Sequence, residues 1–321
     1  MTISLVTGGS GFIGSNLVRF LLSKNHKVVS IDKKTYASNK LNINNKNYKE
    51  FKLDIKNQKK LTAILKKIKP STVFHLAAET HVDNSISSPK VFIDTNILGT
   101  YSILQAIRSL NEIGIKIKLI HVSTDEVYGD LVDLKKINSS ESDRYYPSSP
   151  YSSSKASSDH LVTAWTRTYG LNTVITNCSN NFGPYQHKEK FIPTIINCIK
   201  YKKPIPIYGD GRQEREWLYV KDHCKALFMI SKNFKSSEHY NIGSKNLYKN
   251  INLVNKICKI YDINFGTKNF RSSSLIKHVP DRKGHDKKYS LNIKKIKKEI
   301  KWEPSGKIDK NILKTIEWYL K

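Results

Sequence analysis

The stretch Ile3-Ser4-Leu5-Val6-Thr7-Gly8-Gly9-Ser10-Gly11-Phe12-Ile13-Gly14 decides how the rest of the chain is read. Its first five residues make a short apolar strand. Gly8, Gly11 and Gly14 then stand in the spacing G-x-x-G-x-x-G, and a helix follows with Leu17, Val18, Leu21 and Leu22 on one side. The commonest dinucleotide fingerprint is G-x-G-x-x-G, but the physics carries over. Glycine permits the tight turn and lets the backbone approach a pyrophosphate at the helix N-terminus. A glycine turn alone says little. Between a strand and a helix it points to a dinucleotide.

Working outward, Val28 to Ile31 is a second strand that ends at Asp32. An acidic residue about 20 positions after the glycines suits a ribose hydroxyl pair and would repel a 2′-phosphate, which favours NAD over NADP. Lys33 and Lys34 are the residues that could instead receive such a phosphate. Tyr48 to Leu53 is a third strand, and Asp54-Ile55 at its end suits the adenine edge. A helix spans about Lys59 to Ile68. Thr72 to Leu76 is a fourth strand, leaving through Ala77-Ala78-Glu79-Thr80, where small residues let the backbone pass close to a cofactor. His81 and Asp83 suit either a polar site or loop capping. A long helix of roughly Val91 to Asn111 begins just after Pro89. Strands alternating with helices in this way imply a parallel sheet covered on both faces.

A fifth strand, Ile117 to Val122, runs into Ser123-Thr124-Asp125-Glu126-Val127-Tyr128-Gly129. A hydroxyl and two carboxylates therefore stand at the carboxyl end of a strand, the edge where open α/β sheets bind ligands. A solvated turn would account for that triplet by itself. The context favours a site. Pro147 and Pro150 set up a helix carrying Tyr151 and Lys155 one turn apart, hence on one face. A tyrosine with a pKa of about 10 is a poor base at neutral pH. A lysine ammonium one turn away is expected to favour the phenolate and lower that pKa. The candidate catalytic residues are Thr124, Asp125, Glu126, Tyr151 and Lys155.

After another strand, Thr173 to Thr176, the character changes. Cys178 to Tyr185 is a polar turn, Glu189 to Pro193 opens a helix, and Pro204 to Gly211 is extended. Arg212, Arg215, Trp217 and Tyr219 follow, then a helix beginning at Val220. Guanidiniums beside aromatics suit a diphosphate and a stacked base, although a surface arginine pair near a half-buried Trp would read the same way. Asp281 to Asp286 is a polar loop, and a helix from Lys307 to Leu320 closes the sequence. The expected fold is α/β. A Rossmann-type doubly wound parallel sheet covers residues 1–177, with short segments of the C-terminal half returning to it. A smaller C-terminal α/β substrate domain covers 178–321.

The 321 residues carry 38% hydrophobic and 10% aromatic side chains, a globular composition. No apolar run approaches the roughly 18 residues of a membrane span, and no basic leader precedes a cleavage site, so a cytoplasmic protein is expected. Cys178, Cys198, Cys224 and Cys258 lie far apart without C-x-x-C spacing, which argues against a zinc site or a disulfide framework. The net charge of +28 would suit nucleic acid or an anionic membrane. The lysines are nevertheless spread along the whole chain, with no basic tail or RNA-binding signature. They read as a solvated surface whose field would attract an anionic substrate. No metal, nucleic acid or membrane partner is expected.

From end to end the chain resembles the extended short-chain dehydrogenase/reductases, and within them the dTDP-glucose 4,6-dehydratases. Thr7 to Ser15, Asp32 to Ala37 and His75 to Asp83 are similar to that family's opening and cofactor segments. Ser179 to Gln186 resembles its sugar-nucleotide turn; Arg215 to Val220 and Gly284-His285-Asp286 resemble later landmarks. Thr124-Asp125-Glu126 is the most discriminating piece, since related epimerases usually lack the Asp-Glu pair. The resemblance implies tightly held NAD, a homodimer through helices near 91–111 and 151–169, and conversion of dTDP-glucose to its 4-keto-6-deoxy product. It implies cofactor contacts from Gly8, Gly11, Phe12, Ile13, Gly14, Asp32, Lys33, Thr35, Asp54, Ile55, Leu76, Ala77, Ala78, Thr80, Thr95, Tyr151, Lys155 and Asn180. Substrate contacts are implied for Thr80, Thr124, Asn181, Glu189, Lys190, Arg215, Asn250 and His285. The loop between Gly129 and Pro147 is shorter than the resemblance suggests. Asn177 and Lys188 stand where a basic residue and a proline are expected. These departures leave open UDP-glucose or another nucleotide sugar as substrate. A nucleotide-sugar 4-epimerase or decarboxylase, with Asp125 and Glu126 merely structural, is the rival enzyme reading.

Overall fold

The computed structural model describes residues 1–281 and 284–321, so Arg282 and Lys283 of the expected polar loop lie outside the described residues. The strands are β1 (Ile3–Thr7), β2 (Lys27–Asp32), β3 (Tyr48–Lys52), β4 (Thr72–His75), β5 (Lys118–Thr124), β6 (Asn172–Cys178), β7 (Asn180–Phe182), β8 (Ile205–Tyr208), β9 (Glu214–Tyr219), β10 (Glu238–Ile242), β11 (Leu247–Lys249) and β12 (Ile276–Val279). The helices are α1 (Phe12–Ser23), α2 (Gln58–Ile68), α3 (Val82–Ser87), α4 (Pro89–Phe92), α5 (Gly99–Glu112), α6 (Pro150–Tyr169), α7 (Phe191–Lys200), α8 (Val220–Lys232), α9 (Asn250–Phe265), α10 (Lys294–Ile300) and α11 (Ile308–Leu320).

One sheet has the order β10-β6-β5-β4-β1-β2-β3, parallel throughout. Its strands are apolar at consecutive positions because both faces are covered. Val6, Phe74 and Ile120 pack on one side with Leu17, Leu21, Leu227 and Trp302. Their neighbours Leu5, Val73 and Leu119 point to the other side, against Leu61, Leu65, Ile103 and Ile107. The chain winds outward from β1 to β3, then returns to place β4 on the opposite side of β1. That reversal opens a crevice at the carboxyl ends of β1 and β4.

The second half divides its loyalties. Strand β10 completes the large sheet, with Tyr240 opposite Thr176 and Asn241 opposite Asn177. Helices α8 and α10 pack beside it through Leu227, Ile230, Ile296 and Ile300. The remainder builds a three-stranded sheet, β11-β9-β7, and a parallel pair, β12-β8. Its own core joins Phe182, Ile192, Ile196, Trp217, Leu253, Ile257 and Ile312.

The long helix expected over 91–111 forms with one irregularity. Between α4 and α5, Ile93–Leu98 takes π-helical turns. A wide turn of this kind commonly marks a functional segment. Here it carries the buried polar pair Thr95 and Asn96, of which Thr95 lines the crevice.

Candidate active site

The crevice is a cleft of about 680 Å³ between the large sheet and the smaller unit. The glycine turn forms one end. Gly8 has φ +69°, and a Cβ there would lie 2.7 Å from the Ala77 nitrogen. A Cβ on Gly14 would collide with the Gly8 carbonyl. Gly11 caps α1 and makes no side-chain hydrogen bond to the N–H groups of its first turn. Such an end favours an anion. Asp32 closes the turn: its carboxylate accepts from the Ser10 N–H at 3.0 Å and the Lys34 N–H at 2.8 Å. A backbone cradle without Cβ atoms, a helix end facing it and a carboxylate at the β2 terminus fit a dinucleotide.

Strand β5 delivers the next group. Thr124 ends the strand and starts a 3-10 turn, Asp125–Tyr128, its Oγ1 accepting from the Glu126 N–H at 3.3 Å. That local cap keeps Asp125 and Glu126 at the cleft rather than in a longer loop. Asp125 is 3% exposed, and its Oδ2 is buried without a hydrogen-bond partner. Burial, reinforced by Glu126 and then Glu216, pushes its carboxyl well above the usual range, while Arg215 and the Thr124 hydroxyl pull the other way. A buried carboxyl in this setting holds its proton.

Helix α6 supplies Tyr151 and Lys155. Ser149 caps it, accepting from the Ser152 N–H at 3.1 Å and forming a capping box, with Pro150 in the first turn. Lys155 is 4% exposed and donates to the Val122 carbonyl at 2.9 Å. Burial lowers its pKa, against the nearby Asp159. The expected lowering of Tyr151 by Lys155 is outweighed in the protein as it stands. Burial first, then Glu126, hold the Tyr151 phenol well above its ordinary value; the hydrogen bond with Thr124 opposes them. The reason is desolvation: Tyr151 is only 8% exposed and faces two carboxylates.

Of the residues singled out in the sequence, Gly8, Gly11, Phe12, Ile13, Gly14, Asp32, Lys33, Thr35, Ile55, Leu76, Ala77, Ala78, Thr80, Thr95 and Asn180 line this cleft. So do Thr124, Asp125, Glu126, Tyr151, Lys155, Asn181, Glu189, Lys190, Arg215, Asn250 and His285. Asp54 does not. Its carboxylate is turned to a local task, accepting from the Lys56 N–H at 2.9 Å, and Leu53 and Ile55 line the wall instead. Lys190 reaches over the cleft to donate to the Thr80 carbonyl at 3.1 Å, and the Tyr36 hydroxyl meets Glu189 at 3.3 Å. These contacts join the two units across the opening. Arg215, on β9, donates to the Asp286 carbonyl at 2.7 Å and lies over the Tyr289 ring. His285 pairs with Asp281 at 2.7 Å.

Sequence reading missed three contributors. Asn96 accepts from the Glu79 N–H at 2.8 Å and donates to Ser154 Oγ at 2.8 Å, tying the β4 exit to α6. Its one signal is a polar pair inside a helix read as continuous. Glu216 is fully buried and accepts from the Lys245 N–H at 3.0 Å, the Leu291 N–H at 2.9 Å, Ser290 Oγ at 2.9 Å and the Ser244 N–H. Tyr289 lies against Arg215 and lines the cleft. The last two are placed by contacts from distant parts of the chain, which no local pattern announces. Among the described residues no cluster of His, Cys, Asp and Glu could hold a metal ion.

The glycine turn at the switch point and the Tyr-x-x-x-Lys helix beside β5 define the extended short-chain dehydrogenase/reductase class. The family model for GDP-mannose 4,6 dehydratase matches residues 5–315. The chain is 46% identical to the dTDP-glucose 4,6-dehydratase of Salmonella typhimurium, over 98% of this chain and 92% of that one. It is 44% identical to the Haemophilus influenzae enzyme of the same name, over 98% and 97%. Among solved structures, the dTDP-glucose 4,6-dehydratase of Streptomyces venezuelae with NAD bound superposes with a TM-score of 0.90 at 36% identity, covering 99% of this chain and 97% of that one. The UDP-glucose 4-epimerase of Thermotoga maritima superposes at 0.88 with 27% identity, covering 99% of each. The chain belongs to the dTDP-glucose 4,6-dehydratase family.

Proposed function

We propose that this chain is an NAD-dependent dehydratase that converts dTDP-glucose to dTDP-4-keto-6-deoxyglucose. The observation that carries the reading is the Asp125-Glu126 pair at the end of β5, with Asp125 buried and its carboxyl pushed well above the usual range by burial and by Glu126 beside it. Loss of water needs one group to take a proton and another to give one, and two carboxyls in different settings can divide that work. An epimerase has no use for the division. The 46% identity to named dTDP-glucose 4,6-dehydratases supports the same choice.

The dinucleotide would be held by the glycine turn, Asp32, Lys33, Thr35, Ile55, the Leu76 to Ala78 exit, Thr80, Thr95, Tyr151, Lys155 and Asn180. When bound, NAD would supply hydride acceptance from carbon 4 and hydride return to carbon 6. Tyr151, hydrogen-bonded to Thr124, removes the proton of the sugar 4-hydroxyl. Lys155, fixed on the Val122 carbonyl, would lend the charge that the phenolate needs. The resulting 4-ketone acidifies the proton on carbon 5, and Glu126 takes it. Asp125 gives its proton to the leaving 6-hydroxyl, water departs, and Glu126 returns a proton to carbon 5. Asn181, Glu189, Lys190, Arg215, Asn250 and His285 form the substrate wall, with Arg215 suited to the diphosphate.

The homodimer belongs to the proposal as well. Val91, Leu98, Tyr101 and Tyr169 leave apolar surface exposed along α4, the π turns, α5 and α6, the segments implied above as the interface. Light scattering at twice the chain mass would support it, and a monomer would refute it. We also assign the protein to the cytoplasm, where cell fractionation should find it; no described helix is long and apolar enough to cross a membrane.

The deciding experiment incubates purified protein with dTDP-glucose in deuterated water, without added NAD, and follows the product by NMR. A 4-keto-6-deoxy sugar with deuterium at carbon 5 is expected. Turnover of UDP-glucose alone would move the base specificity, and epimerisation without loss of the 6-hydroxyl would overturn the dehydratase reading.

A further inference from the structure

Two lysines follow the carboxylate that ends β2, and either ammonium would suit a 2′-phosphate. Both are already engaged. Lys33 Nζ lies 2.7 Å from Glu79 Oε1 and 3.3 Å from Thr95 Oγ1. Lys34 Nζ lies 2.6 Å from Glu50 Oε1 and 2.7 Å from Ser10 Oγ, and Ser10 Oγ donates to the same Glu50 oxygen at 2.8 Å. Ser10 belongs to the glycine turn. Its N–H, that of Lys34 and the Ser38 hydroxyl all donate to Asp32. Glu50 comes from β3, the edge strand, paired with Ser30 on β2. It thus closes a cluster of Ser10, Asp32, Lys34 and itself, which reaches the cleft through Asp32.

As a stability device this pair is weak. Both side chains are 29% exposed, and surface ion pairs contribute about 0–1 kcal/mol. Its consequence for recognition is larger. Remove Glu50, and a turn hydroxyl and an ammonium beside Asp32 become free donors for an anion. Keep it, and a 2′-phosphate meets two carboxylates and a lysine that is already neutralised.

We propose that Glu50 is a specificity-determining residue for the dinucleotide: by holding Lys34 and Ser10 it shuts a latent 2′-phosphate site, and it acts with Asp32 to select NAD over NADP. The inference rests on the dinucleotide reading given above.

The test compares wild type, Glu50→Gln and the double variant Lys34→Gln/Glu50→Gln. Each purified protein is incubated with equimolar NAD+ and NADP+ until the retained ratio stops changing. Free nucleotide is then removed by gel filtration, and the bound nucleotide is released with acid and separated by chromatography. Wild type should retain NAD. Glu50→Gln should raise the NADP to NAD ratio roughly tenfold, the effect of one unit charge on a doubly charged phosphate across a partly aqueous cleft. The double variant should fall back to the wild-type ratio. Glu50 is exposed on an edge strand, so the substitution leaves the core intact; Glu50→Thr, a good strand former, serves as a second variant with the same expectation. An unchanged ratio in both single variants overturns the proposal, as does a gain that survives removal of Lys34. Wild-type protein that retains neither dinucleotide would overturn the underlying cofactor reading instead.

Discussion

Replacing Asp125 by Asn should make the protein more stable and the enzyme slower. The carboxyl is almost fully buried, with one oxygen accepting from Thr124 Oγ1 at 3.2 Å and the other without a partner. Its pKa in the fold is raised by burial, then by Glu126 and Glu216. In the unfolded chain it returns to about 3.9. Whatever stability the buried acid contributes is therefore fully present below about pH 4 and lost as the pH rises toward the folded value. Over that window folding must take up one proton, at a cost growing by about 1.4 kcal/mol per pH unit. Asparagine has nothing to titrate. The stability of Asp125→Asn relative to wild type should accordingly climb by about 1.4 kcal/mol per unit and level off once the folded pKa is passed. Urea melts followed by circular dichroism at pH 5, 6 and 7 measure it. In the same variant, water loss should slow by roughly 10²- to 10⁴-fold, the usual worth of a general acid, while the bound dinucleotide still becomes reduced. A stability difference that ignores pH would refute the claim that the buried group is protonated. An unaltered rate and pH profile would remove Asp125 as the acid.

Glu126→Gln should let the 340 nm absorbance of reduced dinucleotide rise on adding substrate and then stall, with no 6-deoxy product; normal turnover would require another base. Gly14→Ala places a methyl group against the Gly8 carbonyl, and the purified protein should retain at least tenfold less dinucleotide, as measured by chromatography of the acid-released cofactor. Glu216→Gln sets an amide N–H₂ against donors that now meet a carboxylate, and denaturant unfolding should report a loss of roughly 2–4 kcal/mol.

Elements set by local chemistry were legible in the sequence. The β1 strand, the glycine turn and α1 follow from apolar periodicity and the need for a tight turn, and the expected strand Ile3 to Thr7 has those bounds in the structure. The helix bearing Tyr151 and Lys155 announced itself by its prolines and spacing. Elements set by distant partners stayed hidden. Nothing near Glu238 to Ile242 says that this segment joins β6 in the large sheet, because the pairing partner lies more than 60 residues away. The π turn around Thr95 was invisible, since a wide turn leaves the helical apolar pattern almost unchanged. Lys34 looked like a free cation because its partner, Glu50, sits on another strand. The net shift of Tyr151 escaped the sequence for a related reason: spacing puts a lysine nearby, but only packing reveals how little water reaches the phenol.

The placement of β10 bears on how such a protein is made and inherited. A ribosome releases β6 long before β10, so the growing chain carries an open, parallel sheet margin until residue 242 has emerged. When it arrives, Asn241 donates to the Ser139 carbonyl at 3.0 Å and accepts from the Tyr128 hydroxyl at 2.9 Å. The turn that bears the two carboxylates is thereby buttressed by a late segment. A gene cut at the apparent boundary near residue 177 would sever the sheet inside β6, leaving neither half a transferable module. Recombination between relatives should survive better at the exposed loop after α8 than at the apparent boundary between the two units.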